Sequence, residues 1–146
     1  AAALKAQAGD AAGAIAAFDQ IADDGRSERL LRDIARLPTP LDVVVLGMGA
    51  DGHTASFFAD AEGLALLIDP TCPVPVLPAK APSAGEPRLT LTLPLIAQAR
   101  FLALHIEGDE KQRVLARALD GATAQELPIK AILDHAVGAL HIFHAP

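Results

Sequence analysis

The stretch Asp42-Val43-Val44-Val45-Leu46-Gly47-Met48-Gly49-Ala50-Asp51-Gly52-His53 constrains the fold of this chain more than any other. A short, unbroken run of β-branched and aliphatic residues reads as a strand buried on both faces, as in the parallel sheets of α/β proteins. It runs directly into glycines at the spacing G-x-G-x-x-G, which let a chain turn sharply and bring backbone close to a ligand. That spacing is the dinucleotide-binding fingerprint, and Asp69 lies about where a ribose-binding acid belongs. Two residues oppose the nucleotide reading. Asp51 puts a negative charge where bare amides should meet a pyrophosphate, and Pro70 places Asp69 in a loop rather than at a strand end. The competing reading is a catalytic loop. Ligands of open α/β sheets sit at the carboxyl ends of the strands, so Asp51 and His53 reach that crevice together. A neutral imidazole can take a proton from water, and a neighbouring carboxylate can orient the ring and stabilise the cation that forms. A purely structural reading also stands, in which Asp51 caps the next helix and His53 packs.

The rest of the chain supplies a sheet and its cover. Residues 1–37 read as helical, with Asp10 as a candidate cap, a break near Asp23-Asp24-Gly25, and a second helix from Ser27 to Leu37. In that second helix Leu30, Leu31, Ile34 and Leu37 recur at helical spacing, and Pro38 and Pro40 stop it. Thr54 to Ile68 predicts a short helix or two. Asp69 to Pro87, rich in proline and small residues, predicts a surface loop with a brief extended piece at Val74 to Leu77. Arg88 to Leu93 alternates as a strand does, Pro94 opens a helix through Gln98, and Arg100 to Ile106 is another strand. Gly108 to Gly121 is a helix, with Asp109 as N-cap and Gly121 as its C-terminal stop. Pro128 to His135 predicts a short helix and Gly138 to His144 a last strand. Strands and helices alternating in this way predict one α/β domain over residues 1–146, with a mostly parallel, Rossmann-like sheet flanked by helices.

Composition narrows the partners. With 146 residues, 51% hydrophobic and mean hydropathy +0.32, the chain can bury a substantial aliphatic core. A net charge of −6 disfavours nucleic acid and anionic membranes, yet leaves room for a small anion held by a few local cations. Cys72 is the single cysteine, which excludes an internal disulfide, reads as a small hydrophobe and fits a reducing cytoplasm. No apolar run reaches the roughly 20 residues that span a bilayer. D-x-H without further ligands in register is a poor metal site, so neither metal nor cofactor is implied.

"LGMGADGHTASFF" resembles the signature loop of the 6-phosphogluconolactonases, which share an α/β fold with the glucosamine-6-phosphate deaminase and isomerase group. The resemblance continues in order through "EPRLTLTLPLIAQAR", "HIEGDEKQRVLARAL" and "LPIKAIL", over roughly residues 41–144. It implies a hydrolase acting on a phosphosugar lactone, with His53 as general base on water and Asp51 holding the histidine and the water. Arg88 and Lys111 match family positions that bind the substrate phosphate in the related deaminases. Amides near Gly49 and Gly52 are expected to face the developing oxyanion. Lys80 is a further cation whose spacing does not align. Lys130, His105, His135, His141 and His144 read as structural or surface residues. Where the sister deaminases carry a proton-moving glutamate this chain has Phe58, which favours lactone hydrolysis over deamination. Phe57-Phe58-Ala59 departs from the Leu-Phe-Pro common in these lactonases. The family's N-terminal Ser-Gly-Gly-Ser phosphate loop and Asp-Glu-Arg strand end have no counterpart, so a fragment is expected. The alternative is a nucleotide- or sugar-phosphate-binding α/β module without hydrolase activity. Oligomeric state is left open.

Overall fold

The computed structural model describes residues 26–146. The helix expected before Asp23, with Asp10 as its cap, and the break at Asp23 to Gly25 lie outside them. The described chain begins with helix α1 (Arg26–Ile34), which tapers into a turn where the Arg36 and Leu37 amides donate to the Asp33 and Ile34 carbonyls. Ile34 packs on the core, but Leu30 and Leu37 are exposed, so the expected apolar stripe is only partly used among the described residues.

Three strands form the sheet: β1 (Val43–Leu46), β4 (Phe101–Glu107) and β5 (Leu140–Ala145), in the order β1-β4-β5 with both pairs parallel. This is the mostly parallel α/β sheet that the alternating pattern predicts. The side chains of Leu46, Leu102, Leu104 and Ile106 point to one face and are buried. They join a single core with α3 (Leu93–Ala97), α4 (Asp109–Leu119) and α5 (Ile129–His135) through Leu93, Ile96, Val114, Leu115, Ile129 and Ile132. Helix α4 packs on β4 and on α5, which in turn packs on α3. Because side chains alternate across a strand, the opposite face carries Val43, Val45, Phe101 and Phe143. Val43 and Val45 are 60% and 65% exposed, so β1 is not buried on both faces as its composition suggests. A β-branched run marks a strand, but only the placement of neighbours decides which faces are covered.

Between β1 and β4 lie helix α2 (Leu64–Leu67) and a separate antiparallel ribbon of β2 (Val76–Ala79) and β3 (Arg88–Leu91). Residues 69–87 are therefore no simple surface loop. Cys72, Val74, Val76, Leu77, Ala79 and Ala81 are all buried. Proline misleads here: a two-stranded ribbon has an open edge on each strand, where Pro78 needs no N–H to complete the ladder. The ribbon is tied down by Thr92, whose buried hydroxyl donates to the Val74 carbonyl at 2.7 Å. Cys72 lies in this packing with its thiol directed at the Val74 carbonyl, and burial pushes its pKa up, as suits a small hydrophobe.

Candidate active site

The loop that follows β1 is closed on itself by short-range bonds. The Gly49 amide donates to the His53 carbonyl at 2.9 Å, and the Gly52 amide donates to the Gly49 carbonyl at 3.0 Å. Both N–H groups are thus spent inside the loop. The amides of these two glycines shape the loop. Gly52 has φ +81°, and a Cβ there would lie 2.7 Å from the Leu127 side chain, while its carbonyl accepts the Ile129 amide at 2.9 Å. Gly52→Ala is expected to destabilise the fold by about 1–2 kcal/mol for the left-handed backbone alone, with the Leu127 clash added. A urea or thermal melt measures it, and a wild-type midpoint would contradict this account of the turn.

Gly49 has a different reason to be glycine. A Cβ on it would lie 2.3 Å from His53 Nδ1 and 2.4 Å from Asp51 Oδ1. The acid and the imidazole lie directly over that bare Cα. His53 Nδ1 and Asp51 Oδ1 are 2.6 Å apart, and the same carboxylate oxygen accepts the His53 backbone N–H at 3.2 Å. No helix follows for Asp51 to cap, so the carboxylate serves His53. Residues 54–57 instead form a tight turn in which Thr54 pairs with Phe57 and Ala55 takes a φ of 50°. The expected helix or two over 54–68 is reduced to the four residues of α2.

Partial burial by itself would raise the Asp51 carboxyl, but the hydrogen bonds from the His53 amide and ring, with the imidazole's charge, outweigh it and hold it below its ordinary value. Asp51 is therefore a carboxylate at neutral pH. A carboxylate can only accept, so His53 Nδ1 carries the proton of this hydrogen bond and Nε2 is the ring nitrogen left free of it.

An open cleft of about 480 Å³ lies against this loop, lined by Val45, Leu46, Gly47, Met48, Gly49, His53, Ala55 and Lys111. Its position follows from topology. β1 and β4 are parallel neighbours, so their carboxyl ends lie side by side, the first leading into the glycine loop and the second, through Gly108, into α4. Gly108 (φ 82°) is the residue at the helix N-cap, so Asp109 lies inside the first turn rather than capping it. Only a residue tolerant of positive φ makes that entry. Lys111, in the same first turn, is half-buried, and among the described residues no carboxylate pairs with it.

Arg88 and Lys80 do not line the cleft. Lys80 pairs with Glu62 at 3.6 Å. Arg88 opens β3, reaches Glu86 at 3.7 Å, and lies with Cζ 5.6 Å from the Phe58 ring centroid. The Phe58 ring in turn stacks on His53, with centroids 4.4 Å apart and planes 25° from parallel. The sequence marks Phe58 only by the glutamate it replaces, and it marks Thr54 by nothing. The buried Thr54 hydroxyl donates to the Gly47 carbonyl at 2.8 Å, tying the loop to the end of β1. Nothing local in T-A-S-F-F marks either contact. Asp69, the ribose candidate of the nucleotide reading, spends its carboxylate on the Thr71 amide and hydroxyl, each at 2.7 Å. Among the described residues no group of three or more His, Cys, Asp or Glu could hold a metal ion.

The fold and the cleft define an α/β protein with an acid-oriented histidine and a lysine at the carboxyl ends of parallel strands. The sequence profile of the glucosamine-6-phosphate isomerases/6-phosphogluconolactonase family matches residues 5–142, and the chain belongs to that family. It is 58% identical to a 6-phosphogluconolactonase of Mesorhizobium japonicum over 112 residues, 75% of this chain and 45% of that protein. With the 6-phosphogluconolactonase of Rhizobium meliloti the identity is 51% over 112 residues, 77% of this chain and 48% of the relative. A crystal structure of a 6-phosphogluconolactonase from Shewanella baltica matches with a TM-score of 0.76 at 30% identity, covering 82% of this chain and 51% of that one. The chain spans a little under half the length of these two curated relatives.

Proposed function

We propose that the protein hydrolyses 6-phospho-D-glucono-1,5-lactone to 6-phosphogluconate, the lactone-opening step of the oxidative pentose phosphate pathway. The observation that carries this reading is the Asp51–His53 pair, 2.6 Å apart, in a cleft that also takes in Lys111. With Nδ1 held by Asp51, His53 Nε2 removes a proton from water as the water oxygen attacks the C1 carbonyl. The tetrahedral intermediate collapses with cleavage of the bond between C1 and the ring oxygen. The His53 imidazolium gives its proton to that oxygen as it leaves, and the open-chain acid results. Asp51 stays ionised throughout and offsets the charge on the imidazolium. Phe58 puts an apolar ring against His53 in place of a second carboxylate that could shuttle protons between carbon atoms, as an aldose–ketose reaction requires. The two curated relatives reported above, both named 6-phosphogluconolactonase, support the same substrate.

Lys111 is the residue assigned to the phosphate. It is a cation that pairs with no carboxylate among the described residues, in the first turn of α4, where helix amides also favour an anion. A hydrogen bond to a charged group contributes about 1.5–3 kcal/mol, so Lys111→Ala is expected to raise KM for the phosphorylated lactone by roughly 10- to 100-fold. Hydrolysis of unphosphorylated gluconolactone, followed by proton release, should change little. An equal loss on both lactones would remove Lys111 from the phosphate site, and no turnover of either lactone by the protein as encoded would sink the reading as a whole.

A further inference from the structure

We propose that Phe58 is a positioning residue, a rigid wall that sets the plane of the His53 imidazole and steadies the Arg88 guanidinium. This inference rests on the proposed hydrolase reading and deepens it. Asp51 fixes one atom of the His53 ring, Nδ1, but a single hydrogen bond leaves the ring free to rock about the line joining it to the carboxylate. The stack at 4.4 Å and 25° supplies the second constraint, and the two together determine where Nε2 points.

The wall itself has little freedom. Phe58 is buried, Phe57 beside it is fully buried, and the backbone on either side is pinned. The Ser56 amide donates to the Thr90 hydroxyl at 3.3 Å, the Phe57 amide to the Thr54 carbonyl at 2.9 Å, and the Ala61 amide to the Phe58 carbonyl at 3.0 Å. Through Thr90 the wall is tied to β3, the strand that Arg88 opens. The Arg88 guanidinium lies 5.6 Å from the centroid of the same ring, within cation–π range. One buried ring therefore touches both the proposed base and a cation expected to serve the phosphate. It couples two side chains that approach the site from different elements.

The test uses the protein as encoded, with Phe58→Leu and Phe58→Met, which keep apolar volume but remove the flat face. A displaced base costs rate steeply, so kcat on the phosphorylated lactone is expected to fall by about 10- to 100-fold in both variants, with a smaller rise in KM through Arg88. NMR of the His53 ring protons gives a readout that a merely structural role would not move. In wild type they should be shifted upfield by the Phe58 ring current and show cross-peaks to its protons, and both features should vanish in the variants while the amide resonances of β4 and β5 stay in place.

A wild-type spectrum without the ring-current shift overturns the proposal even if neither variant folds. A folded Phe58→Leu with wild-type kcat overturns it as well. His53→Ala, measured in parallel, separates the two levels. If it loses activity while Phe58→Leu does not, only the positioning role fails. If His53→Ala is fully active, the base assignment fails and takes the positioning role with it.

Discussion

His53→Ala is expected to lower kcat for hydrolysis of the phosphorylated lactone by about 10²- to 10⁴-fold, the usual contribution of a positioned general base. KM should change little, because the proposed phosphate contact lies on Lys111. The fold should survive. The His53 side chain is partly exposed, and its backbone carbonyl, not its ring, closes the loop onto the Gly49 amide. Proton release at constant pH gives the rate, and a thermal melt confirms that the variant is folded. Asp51→Asn should act in the same direction. An amide can donate to Nδ1, which would place the ring proton on Nε2 and leave no lone pair facing the water. A folded His53→Ala protein with wild-type kcat would refute the role of the dyad.

Gly49→Ala is expected to come close to the same loss without touching either member of the dyad. A methyl group at this position would lie 2.3 Å from His53 Nδ1 and 2.4 Å from Asp51 Oδ1 and His53 Cε1, inside any real contact distance. The atoms it meets are the ends of side chains that can swing toward solvent, and Gly49 has no positive φ that an alanine would strain. Stability should therefore fall little while the base leaves its place. A displacement of about 1 Å can cost on the order of 10²-fold in rate. Comparing kcat with the melting midpoint separates this from Gly52→Ala, whose cost falls on the backbone and on Leu127. Gly49→Ala with wild-type kcat would mean that the pair does not need the geometry seen over that glycine.

Several elements were legible from local pattern. The β-branched run at 43–46, the alternating Arg88 to Leu91, and the helix closed by Gly121 each carry their signal within a few residues, because side-chain periodicity and terminators act locally. The misreadings share a cause. Within 69–87 the pattern shows only a brief extended piece at Val74 to Leu77, part of which is β2, and the rest reads as loop because proline depresses strand propensity, yet a two-stranded ribbon tolerates Pro78 at an open edge. Val43 and Val45 looked doubly buried because composition does not report which sheet face has a neighbour. Gly49 and Gly52 looked like anion donors because no pattern shows that their amides already bond within the loop. Arg88 and Lys111 looked equivalent as matched cations, and the structure separates them, placing one over Phe58 and the other in the cleft.

What the sequence determined by itself is the proposed catalytic turn: an acid and a histidine two positions apart, on a strand end, among glycines that let the backbone fold them together. Those contacts span two residues and need no distant partner. What tertiary structure alone decided is what surrounds the pair. Parallel pairing of β1 with β4 sets Lys111 in the same cleft as His53, and the β2–β3 ribbon brings Arg88 to Phe58 and ties Phe58 in place against the imidazole. Those approaches join residues far apart in the chain, so they depend on strand order and packing and leave no trace in the spacing of either partner.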